Sequence, residues 1–290
     1  MTAEPGGASN PPYRALFDRP VFIVSTPRSG STLLFDTLAQ APRLFTIGQE
    51  SHWVIEDTAD FDPEKRGWSS NRLTAADAKA GAVEDLCRAF YRDLRDRDDA
   101  PASGAVRMLE KTPKNALRVP FFAGAFPDSS FVYLYRNVRE VLASMMEAWA
   151  SGGFRTYPQL PGWTGYPWSM LLVPGWRELI GQPLPVIVAR QWAMTTQILL
   201  DDLEALAAER VHAVTYQALI DGPQAQMQRL TANLGLDWDR TLGSTLPLSK
   251  VTVSPPQAGK WRRLEREIEA LIPIVAAADA RARDFASTRA

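Results

Sequence analysis

The segment VFIVSTPRSGSTLLFDTLAQ, residues 21–40, most constrains how this chain can fold. Its apolar start enters a Pro-Arg-Ser-Gly-Ser-Thr turn, and three leucines then recur at the spacing of one helix face. A buried strand, a glycine-containing loop and an amphipathic helix in this order are typical of a phosphate-binding loop. Loops that bind nucleoside triphosphates have a Lys after their last Gly, whereas Ser31 stands here between Gly30 and Thr32. The segment therefore predicts an anion-binding loop that differs from those of ATP- and GTP-binding proteins.

The rest of the chain alternates short apolar runs with longer amphipathic ones. The pattern predicts strands at 21–25, 106–110, 130–135 and 211–215, and helices at 30–41, 75–97, 114–125, 138–150, 187–208, 223–234 and 264–284. Strands separated by helices indicate an α/β fold with a parallel sheet and right-handed crossovers. Such sheets bind ligands beyond the carboxyl ends of their strands, so the chemistry is expected just after residues 25, 110, 135 and 215.

We predict a single domain over residues 1–290, with a disordered lead at 1–15 and an insertion at 151–186. The insertion is too rich in Pro and Gly for regular structure, yet it is also rich in aromatic residues. A long aromatic loop of this kind predicts a packed lid over a site. Six aromatic residues in it predict a partly apolar acceptor pocket, although a packed core loop would use the same residues: Phe154, Tyr157, Trp163, Tyr166, Trp168 and Trp176.

The composition excludes several kinds of partner and site. With a net charge of −1 and a pI near 6.2, the chain lacks the general basic character that drives sequence-independent binding to nucleic acid. Its one cysteine, Cys87, excludes an internal disulfide and a cysteine-based zinc site, and the helical pattern around it predicts a core position. No apolar run approaches the ~18 residues of a membrane span. We therefore expect a cytoplasmic protein that binds neither nucleic acid nor membranes.

The predicted loop offers several groups to an anion. The amides of Ser29 to Leu33 open a helix, whose unpaired N–H groups and positive dipole end attract negative charge. Arg28 adds a guanidinium with a fixed fork geometry, and hydroxyl donors come from Ser29, Ser31 and Thr32. The alternative is an ordinary strand–turn–helix junction with a Ser N-cap, and the order of residues after Pro27 makes it the weaker interpretation.

A second candidate anion site follows the strand predicted at 130–135. Arg136 stands at the end of this strand, and Ser144 lies about two turns along the next predicted helix. Both side chains can meet one anion only if the helix runs back beside the strand end. Arg and Ser are common at such places, but two candidate sites at strand ends in one chain favour a functional interpretation.

Together these motifs resemble those of the sulfotransferases that use 3'-phosphoadenosine 5'-phosphosulfate (PAPS). In that family a Pro-Arg/Lys-Ser-Gly-Thr/Ser-Thr loop holds the 5'-phosphosulfate, and Pro27 to Leu33 match this loop and the start of its helix. An Arg at a strand end and a Ser eight residues later hold the 3'-phosphate, which matches Arg136 and Ser144. The family's Arg-Asn-Pro is Arg-Asn-Val here, a departure that leaves the Arg in place. The resemblance implies a P-loop-like three-layer fold with a central parallel sheet flanked by helices.

The resemblance continues into the C-terminal part of the chain. Tyr216, just after the last predicted strand, resembles the Tyr that lies near the adenine in the family. Residues 245–263, which include SPPQAGKW, resemble the loop that closes over the cofactor. This part of the resemblance implies further cofactor contacts from Lys260, Trp261, and either Ser249 or Ser254.

Sulfuryl transfer requires cations and hydrogen-bond donors around the transferring group, and a base for the acceptor's proton. Arg28 and Thr32 are predicted to stabilise the leaving group and the sulfuryl oxygens, and this chemistry requires no metal. Lys111, in a Glu-Lys-Thr-Pro segment, is similar to the sulfate-contacting Lys in the Lys-Asp-Pro segment of the tyrosylprotein sulfotransferases. The alternative for Lys111 is a surface side chain before a helix-start Pro.

Two residues compete for the role of base. The tyrosylprotein enzymes use a Glu in a Gly-Glu-Glu-Thr segment, and the Gly-Gln-Glu-Ser segment here resembles it with Glu50 as the matching residue. His52 is a rival base or a substrate contact, whereas His212 lies inside a predicted strand and is interpreted as structural. A Glu base needs a partly apolar site that raises its pKa, and the candidates for that site are Phe45, Ile47 and Trp53. A loop Glu on a solvated surface is the alternative.

The leading interpretation is a PAPS-dependent sulfotransferase that acts on a hydroxyl of a small molecule or of a carrier-bound metabolite. The chain also resembles bacterial sulfotransferases of secondary metabolism, including domains of polyketide synthases. A small-molecule or nucleotide kinase with a degenerate P-loop is the second interpretation, and the absent Lys argues against it. A binding protein on an inactive sulfotransferase fold is the third.

Overall fold

A computed structural model describes residues 12–58, 61–247 and 259–289, and its centre is a five-stranded parallel sheet. The strands within these residues are β1 Val21–Val24, β2 Leu44–Phe45, β3 Arg107–Lys111, β4 Ser130–Tyr135, β5 Arg155–Tyr157, β6 Trp168–Ser169 and β7 Val211–Thr215. The sheet has the order β2-β3-β1-β4-β7, while β5 and β6 form a separate antiparallel pair. The predicted parallel sheet is confirmed.

Helices alternate with the sheet strands, as parallel neighbours require. The α-helices in the described residues are α1 Ser31–Leu38, α2 His52–Asp57, α3 Ala80–Asp93, α4 Val119–Ala125, α5 Val138–Ser151, α6 Leu184–Glu204, α7 Tyr216–Asp221, α8 Pro223–Leu234 and α9 Glu265–Arg289. Short 3-10 helices at Pro113–Leu117 and Lys260–Leu264 also contribute to the site described below.

Side chains alternate between the two faces along each strand, and helices cover both faces of the sheet. On one face Val21 and Ile23 pack against apolar residues of α1 and α8. On the other face Phe22 and Phe131 stack with their ring centroids 5.5 Å apart, under a layer formed by α3, α4, and parts of α6 and α9. These three layers are the predicted architecture.

The aromatic insertion, residues 151–186, contains more regular structure than its Pro and Gly content predicts. It includes the β5–β6 pair and a 3-10 helix at Trp176–Leu179, and α6 begins inside it at Leu184. Its apolar side chains form a third cluster with α5 and with the N-terminal parts of α6 and α9. The insertion is therefore anchored to two long helices.

The start of the chain differs from the prediction. Residues 1–15 are predicted to be disordered, yet Tyr13–Leu16, among the described residues, form a 3-10 helix. The backbone N–H groups of Tyr13 and Arg14 donate to the Glu84 carboxylate of α3, at 2.7 and 3.1 Å. A carboxylate 70 residues away thus fixes this short segment, which no local pattern could indicate.

The helix predicted at 75–97 is interrupted near its start. Ala75–Asp77 form a 3-10 helix, in which Thr74 and Asp77 make a capping box. Lys79 then has an extended backbone, and α3 begins at the next residue. Ala78, with φ −78° and ψ 53°, leaves the helical conformation between the two helices.

The helix predicted at 114–125 is divided at Arg118. Residues Pro113–Leu117 are 3-10 helical, and α4 follows with a Pro in its first turn. The Arg118 guanidinium is completely buried and donates to Glu56 of α2 at 2.8 Å. Its backbone, with φ −126° and ψ 12°, turns the chain between the two helices.

Two compositional expectations can be compared with the described residues. Cys87 is buried in α3 as predicted, and burial raises the pKa of its thiol to about 12. Of the helices in the described ranges, none combines the length and the apolar character needed to cross a membrane.

Candidate active site

The loop after β1 presents the N-terminus of α1 at the carboxyl end of the sheet. Gly30 is the N-cap with φ 96°, and no side chain from the part of the chain that the structure describes caps the first turn of the helix. Arg28 also has a left-handed backbone, with φ 66°. Thr26 and Ser29 hydrogen-bond through their hydroxyls at 2.8 Å and hold the loop from beneath. Within the described residues, the first N–H groups of α1 thus have no side-chain cap, and this geometry suits an anion.

Tyr216, the first residue of α7, lies directly against this loop. A Cβ atom at Gly30 would be 2.5 Å from Cδ2 of the Tyr216 ring, so only glycine allows this contact. The Arg136 guanidinium carbon lies 4.4 Å from the centroid of the same ring. Arg136 also donates to the carbonyl oxygen of Arg28 at 3.2 Å. The ends of β4 and β7 thus meet at the anion-binding loop.

The Arg28 guanidinium points toward α5. Its Nε donates to the hydroxyl of Ser144 at 3.2 Å, and its central carbon is 4.7 Å from the ring centroid of Phe154. Burial, followed by the nearby Arg136 cation, lowers the pKa of Arg28 from its ordinary value. α5 therefore runs back beside the strand end, which is the condition for Arg136 and Ser144 to share a site.

Lys111, at the end of β3, forms the centre of a second contact group. Its side chain is 4% exposed, and its Nζ donates to Thr32 Oγ1 at 3.1 Å and to Glu50 Oε1 at 2.9 Å. This arrangement removes the alternative of a surface lysine. It joins a cation, a loop hydroxyl and a carboxylate that are far apart in sequence.

The surroundings of Glu50 differ from the predicted apolar site. Its carboxylate contacts the Lys111 ammonium, and its side chain is 37% exposed at the cavity wall. The predicted apolar neighbours pack instead against the core cluster on the other face of the sheet: Phe45, Ile47 and Trp53. These three side chains point toward the core because α2 packs on that face of the sheet.

His52 lies two residues further on and faces the same cavity. Partial burial, together with the Lys114 cation, lowers the pKa of His52 below its ordinary 6.5. Its imidazole is therefore neutral at neutral pH, which is the form that accepts a proton. The other histidine, His212, lies in β7 and is not among the residues that line the cavity.

These groups line one cavity of about 1260 Å³ at the carboxyl end of the sheet. Most of the predicted site residues line it: Pro27, Arg28, Gly30, Ser31, Thr32, Leu33, Glu50, His52, Arg136, Ser144, Tyr216 and Lys260. Lys111 lies directly behind Thr32 and Glu50. Within the described residues, no group of three or more His, Cys, Asp and Glu side chains is arranged to hold a metal ion.

Three predicted cofactor contacts are not among the described residues that line the cavity. The Ser29 side chain is 1% exposed, and its hydroxyl bonds to Thr26 beneath the loop. Trp261 is absent from the cavity wall, since it packs against the third apolar cluster and lies over Arg139. Ser249, like its alternative Ser254, falls outside the described residues.

Two carboxylates of α5 were missed by the sequence reasoning. Glu147 bonds to the Lys260 ammonium at 2.9 and 3.0 Å, and Glu140 accepts a bond from the backbone N–H of Gly259 at 2.9 Å. Both line the cavity and hold the segment that begins at Gly259 against α5. Their spacing with Ser144 on one helix face is a signal that could have identified them.

The aromatic insertion contributes less to the cavity than predicted. Of its six aromatic residues, Phe154 lines the cavity, whereas Trp168 and Trp176 are 0% exposed with their rings 6.0 Å apart. The packed-loop alternative therefore describes most of these side chains. The insertion's other contributions to the wall are Gly153, Arg155, Thr156, Met170 and Leu171.

The parallel sheet, the helix that starts after β1, and the basic side chains at the ends of β3 and β4 are the features of a P-loop-like α/β fold. Within this class the chain belongs to the sulfotransferase family, because the model described as "Sulfotransferase family" matches residues 20–240. The predicted family and fold are confirmed.

Individual relatives are more distant. Protein-tyrosine sulfotransferase A of Caenorhabditis elegans is 23% identical over 86% of this chain and 60% of its own length. Nodulation protein NoeE of Sinorhizobium fredii is 25% identical over 74% of this chain and 50% of its own length. The chain thus spans about half to three fifths of these two relatives. The crystal structure of sulfotransferase STF9 from Mycobacterium avium superposes with a TM-score of 0.53 and 13% identity, over 90% of this chain and 76% of that one.

Proposed function

We propose that this protein transfers the sulfuryl group of PAPS to an acceptor hydroxyl. The contacts of Lys111 carry the proposal, since its buried ammonium bonds both to Thr32 in the anion-binding loop and to Glu50 at the cavity wall. A transferring anionic group needs a cation and donors beside it, and its acceptor needs a base. These three side chains supply both requirements at one place.

The residues around the cavity fit PAPS. The uncapped first turn of α1 suits the 5'-phosphosulfate, and Arg136 with Ser144 suits a second phosphate. The Tyr216 ring beside Gly30 suits the adenine, which it can stack against. Lys260, held close to the cavity by Glu147, offers a further cation to a phosphate.

When bound, PAPS supplies a sulfuryl group that passes in line from its 5'-phosphate oxygen to the acceptor oxygen, as one S–O bond breaks and another forms. Lys111 and Thr32 donate to the oxygens that gain negative charge, and the loss of one such donor typically raises the barrier by ~3 kcal/mol. Arg28 adds its charge from the α5 side, where Ser144 contacts it. Glu50 accepts the proton of the acceptor hydroxyl, and His52 contacts the acceptor.

For the acceptor we propose a hydroxyl on a small molecule or on a carrier-bound metabolite. Apolar side chains of the insertion line the cavity and support an acceptor with apolar character: Phe154, Met170 and Leu171. A protein tyrosine is a second candidate, because one relative is named a protein-tyrosine sulfotransferase. The kinase interpretation finds no support in the family match.

Thermal unfolding with added nucleotides tests the donor site. Adenosine 3',5'-bisphosphate (PAP), at about 100 times its Kd, stabilises a protein that binds it by ~2.7 kcal/mol, so the Tm is expected to rise. ATP with Mg²⁺ is expected to leave the Tm unchanged. A Tm that rises with ATP and Mg²⁺ but not with PAP would contradict the proposal.

Sulfuryl transfer is measured with PAPS carrying radioactive sulfur and a panel of free hydroxyl compounds, a carrier-bound hydroxyacyl chain and a tyrosine peptide. Lys111→Ala is expected to lower kcat on the order of 10²-fold or more, with a smaller effect on the Kd of PAP than Arg136→Ala. Lys79→Ala is the control, because Lys79 is exposed at the N-cap of α3. Full turnover by Lys111→Ala would exclude the assigned role.

A further inference from the structure

Glu110 and Lys111, the last two residues of β3, point to opposite faces of the sheet. Lys111 faces α1, where its Nζ contacts Thr32. Glu110 faces the layer that contains α2, and it is 3% exposed. A buried carboxylate is expensive unless donors surround it, so the contacts of Glu110 need an explanation. The assigned chemistry does not use this group.

The Glu110 carboxylate accepts three side-chain hydrogen bonds. Its Oε1 accepts from the hydroxyls of Ser51 and Thr112, the latter at 2.7 Å, and its Oε2 accepts from the amide of Asn115. All three partners are at most 1% exposed. Burial raises the pKa of Glu110, while these donors and Lys111 act in the opposite direction.

Two of these donors stand at helix starts, where a hydroxyl commonly caps the helix. Ser51 is the N-cap of α2 and Thr112 is the N-cap of the 3-10 helix Pro113–Leu117, yet neither side chain caps its helix. A Ser or Thr cap typically contributes ~1 kcal/mol. Both hydroxyls bond to Glu110 instead, and the Ser51 N–H donates to Thr112 Oγ1 at 2.7 Å. The network therefore joins two chain segments that a cap would leave independent.

We propose that Glu110 is a positioning residue that fixes the Lys111–Glu50 pair, an inference that rests on the proposed function. Ser51 stands between Glu50 and His52, and Glu110 with Thr112 flanks Lys111. One buried carboxylate thus connects the segment that carries the base to the strand end that carries the cation. Displacement of either segment would separate groups that must act on the same transferring atom.

Glutamine cannot replace Glu110 without leaving a donor unpaired. If its amide nitrogen faced Asn115, two NH₂ groups would meet. If it faced the hydroxyls, the O–H groups of Ser51 and Thr112, which donate to Oε1 of Glu110, would lose that acceptor. Glu110→Gln therefore keeps the side-chain volume and disturbs the connection.

The first test measures kinetics and binding of the full chain. Glu110→Gln is expected to lower kcat on the order of 10²-fold, while the Kd of PAP changes by less than about twofold. Combined with Glu50→Gln, it is expected to lower kcat little further, because both changes act on the same pair. Ser51→Ala, which removes one bond of the network, provides a milder variant with a smaller fall in kcat.

Asp202→Asn is the matched control. Asp202 is a buried carboxylate that pairs with Arg72 and is not among the residues that line the cavity. Its loss is expected to lower the Tm without changing kcat per folded molecule. If Glu110→Gln changes the Tm alone, as Asp202→Asn does, Glu110 is only structural and the proposal is overturned.

The second test does not depend on catalysis. Lys111 is acylated by a small amine-reactive reagent, and peptide mass spectrometry follows the rate, with exposed Lys79 as an internal standard. Glu110→Gln disturbs the bonds of Glu110 to Ser51, Thr112 and Asn115, so Lys111 is expected to be modified several-fold faster than in the wild type. An unchanged rate in Glu110→Gln and Ser51→Ala would overturn the positioning role, whereas wild-type protein that transfers no sulfuryl group would overturn the proposed function.

Discussion

Gly30, in the predicted anion-binding loop, has no room for a side chain. Its φ is 96°, and a Cβ atom would lie 2.5 and 2.6 Å from two carbons of the Tyr216 ring. In Gly30→Ala the ring must move away from the loop, and the residue is also strained. We therefore expect a lower Tm and weaker binding of PAP, measured by calorimetric titration.

Gly104→Ala separates these two effects. Gly104 has φ 70°, but a Cβ atom there would meet nothing within 4 Å. This variant is expected to lower the Tm through backbone strain and to bind PAP as tightly as the wild type. Equal weakening of PAP binding by both variants would show that the Tyr216 contact is not responsible.

Single residues also show what local pattern could not predict. The sequence identified Glu50 and Lys111 as candidates by resemblance, but not the bond between them, because they are 61 residues apart. It likewise paired Arg136 with Ser144, whereas Ser144 bonds directly to Arg28. Side-chain contacts of this kind depend on where strand ends converge, which no motif encodes.

The aromatic insertion is the element whose role the structure changes most. Trp168 is completely buried, lies 4.7 Å from Trp163 and 5.5 Å from Trp149 by ring centroids, and donates to the Leu171 carbonyl. Phe154 lies on the other side of the same segment, over the Arg28 guanidinium. One part of the insertion serves the core and another contacts the site.

Two substitutions in the insertion are expected to have opposite effects. Trp168→Ala leaves a large cavity and is expected to reduce the free energy of unfolding by ~3–5 kcal/mol, with the PAP affinity of the folded fraction unchanged. Phe154→Ala removes a cation–π contact with Arg28 and is expected to lower kcat or PAP affinity with little loss of stability. Urea unfolding and PAP titration measure both. A stable Trp168→Ala variant with an altered KM for the acceptor would restore the predicted role in an acceptor pocket.

Periodicity predicted the bounds of helices and strands well where local sequence features set those bounds. The observed β4, β7 and α8 have the predicted bounds, because apolar alternation and a helix-start Pro define them. The breaks at Lys79 and Arg118 were missed, since the apolar pattern runs across them. At Arg118 the side chain pairs with Glu56, 62 residues away, and periodicity cannot show such a contact.

At the scale of the whole molecule, Glu56 connects several parts of the chain around the site. Its carboxylate accepts from Lys114 and Arg118, each at 2.8 Å, and from Asn71 at 3.2 Å. Tyr157 of the insertion donates to it at 3.4 Å. Burial alone raises the pKa of Glu56, but the two cations outweigh burial and hold the pKa below its ordinary 4.5.

Because the pKa of Glu56 is lowered in the folded protein, acid is expected to decrease the free energy of unfolding. As the pH falls, Glu56 binds a proton near pH 4.5 in the unfolded chain, but only at a lower pH in the folded protein. The stabilisation that ionised Glu56 gives above pH 4.5 is therefore lost as the pH falls through the pKa of the folded state. Glu56→Gln lacks that contribution, and its free energy of unfolding is expected to fall less steeply with acid than that of the wild type. At pH 7 the variant leaves two buried cations unpaired and is expected to be less stable by ~3–5 kcal/mol.

Glu269→Gln is the control for this prediction. The pKa of Glu269 is also lowered, first by its hydrogen bond to Arg139, but its side chain is 44% exposed. Water and salt screen such a pair, so its removal is expected to change stability little. Urea unfolding at several pH values compares the variants, and identical acid profiles for wild type and Glu56→Gln would contradict the assignment.

Local features of the sequence are enough to predict the class of fold and the position of the candidate site. Apolar runs separated by amphipathic ones specify a parallel sheet, and the segment at residues 21–40 predicts an anion-binding loop at its carboxyl edge. These features are local, since they depend on periodicity, glycine conformation and helix starts. Twelve residues predicted from these patterns and from the family resemblance line one cavity.

Only the tertiary structure decided which charges meet and which aromatic rings are buried. Glu50 bonds to Lys111, Glu56 to Lys114 and Arg118, and Glu110 to the helix-start hydroxyls. The physical reason is that a buried charge must find donors wherever the fold brings them, and apart from Thr112 these partners are 58 to 62 residues away in the sequence.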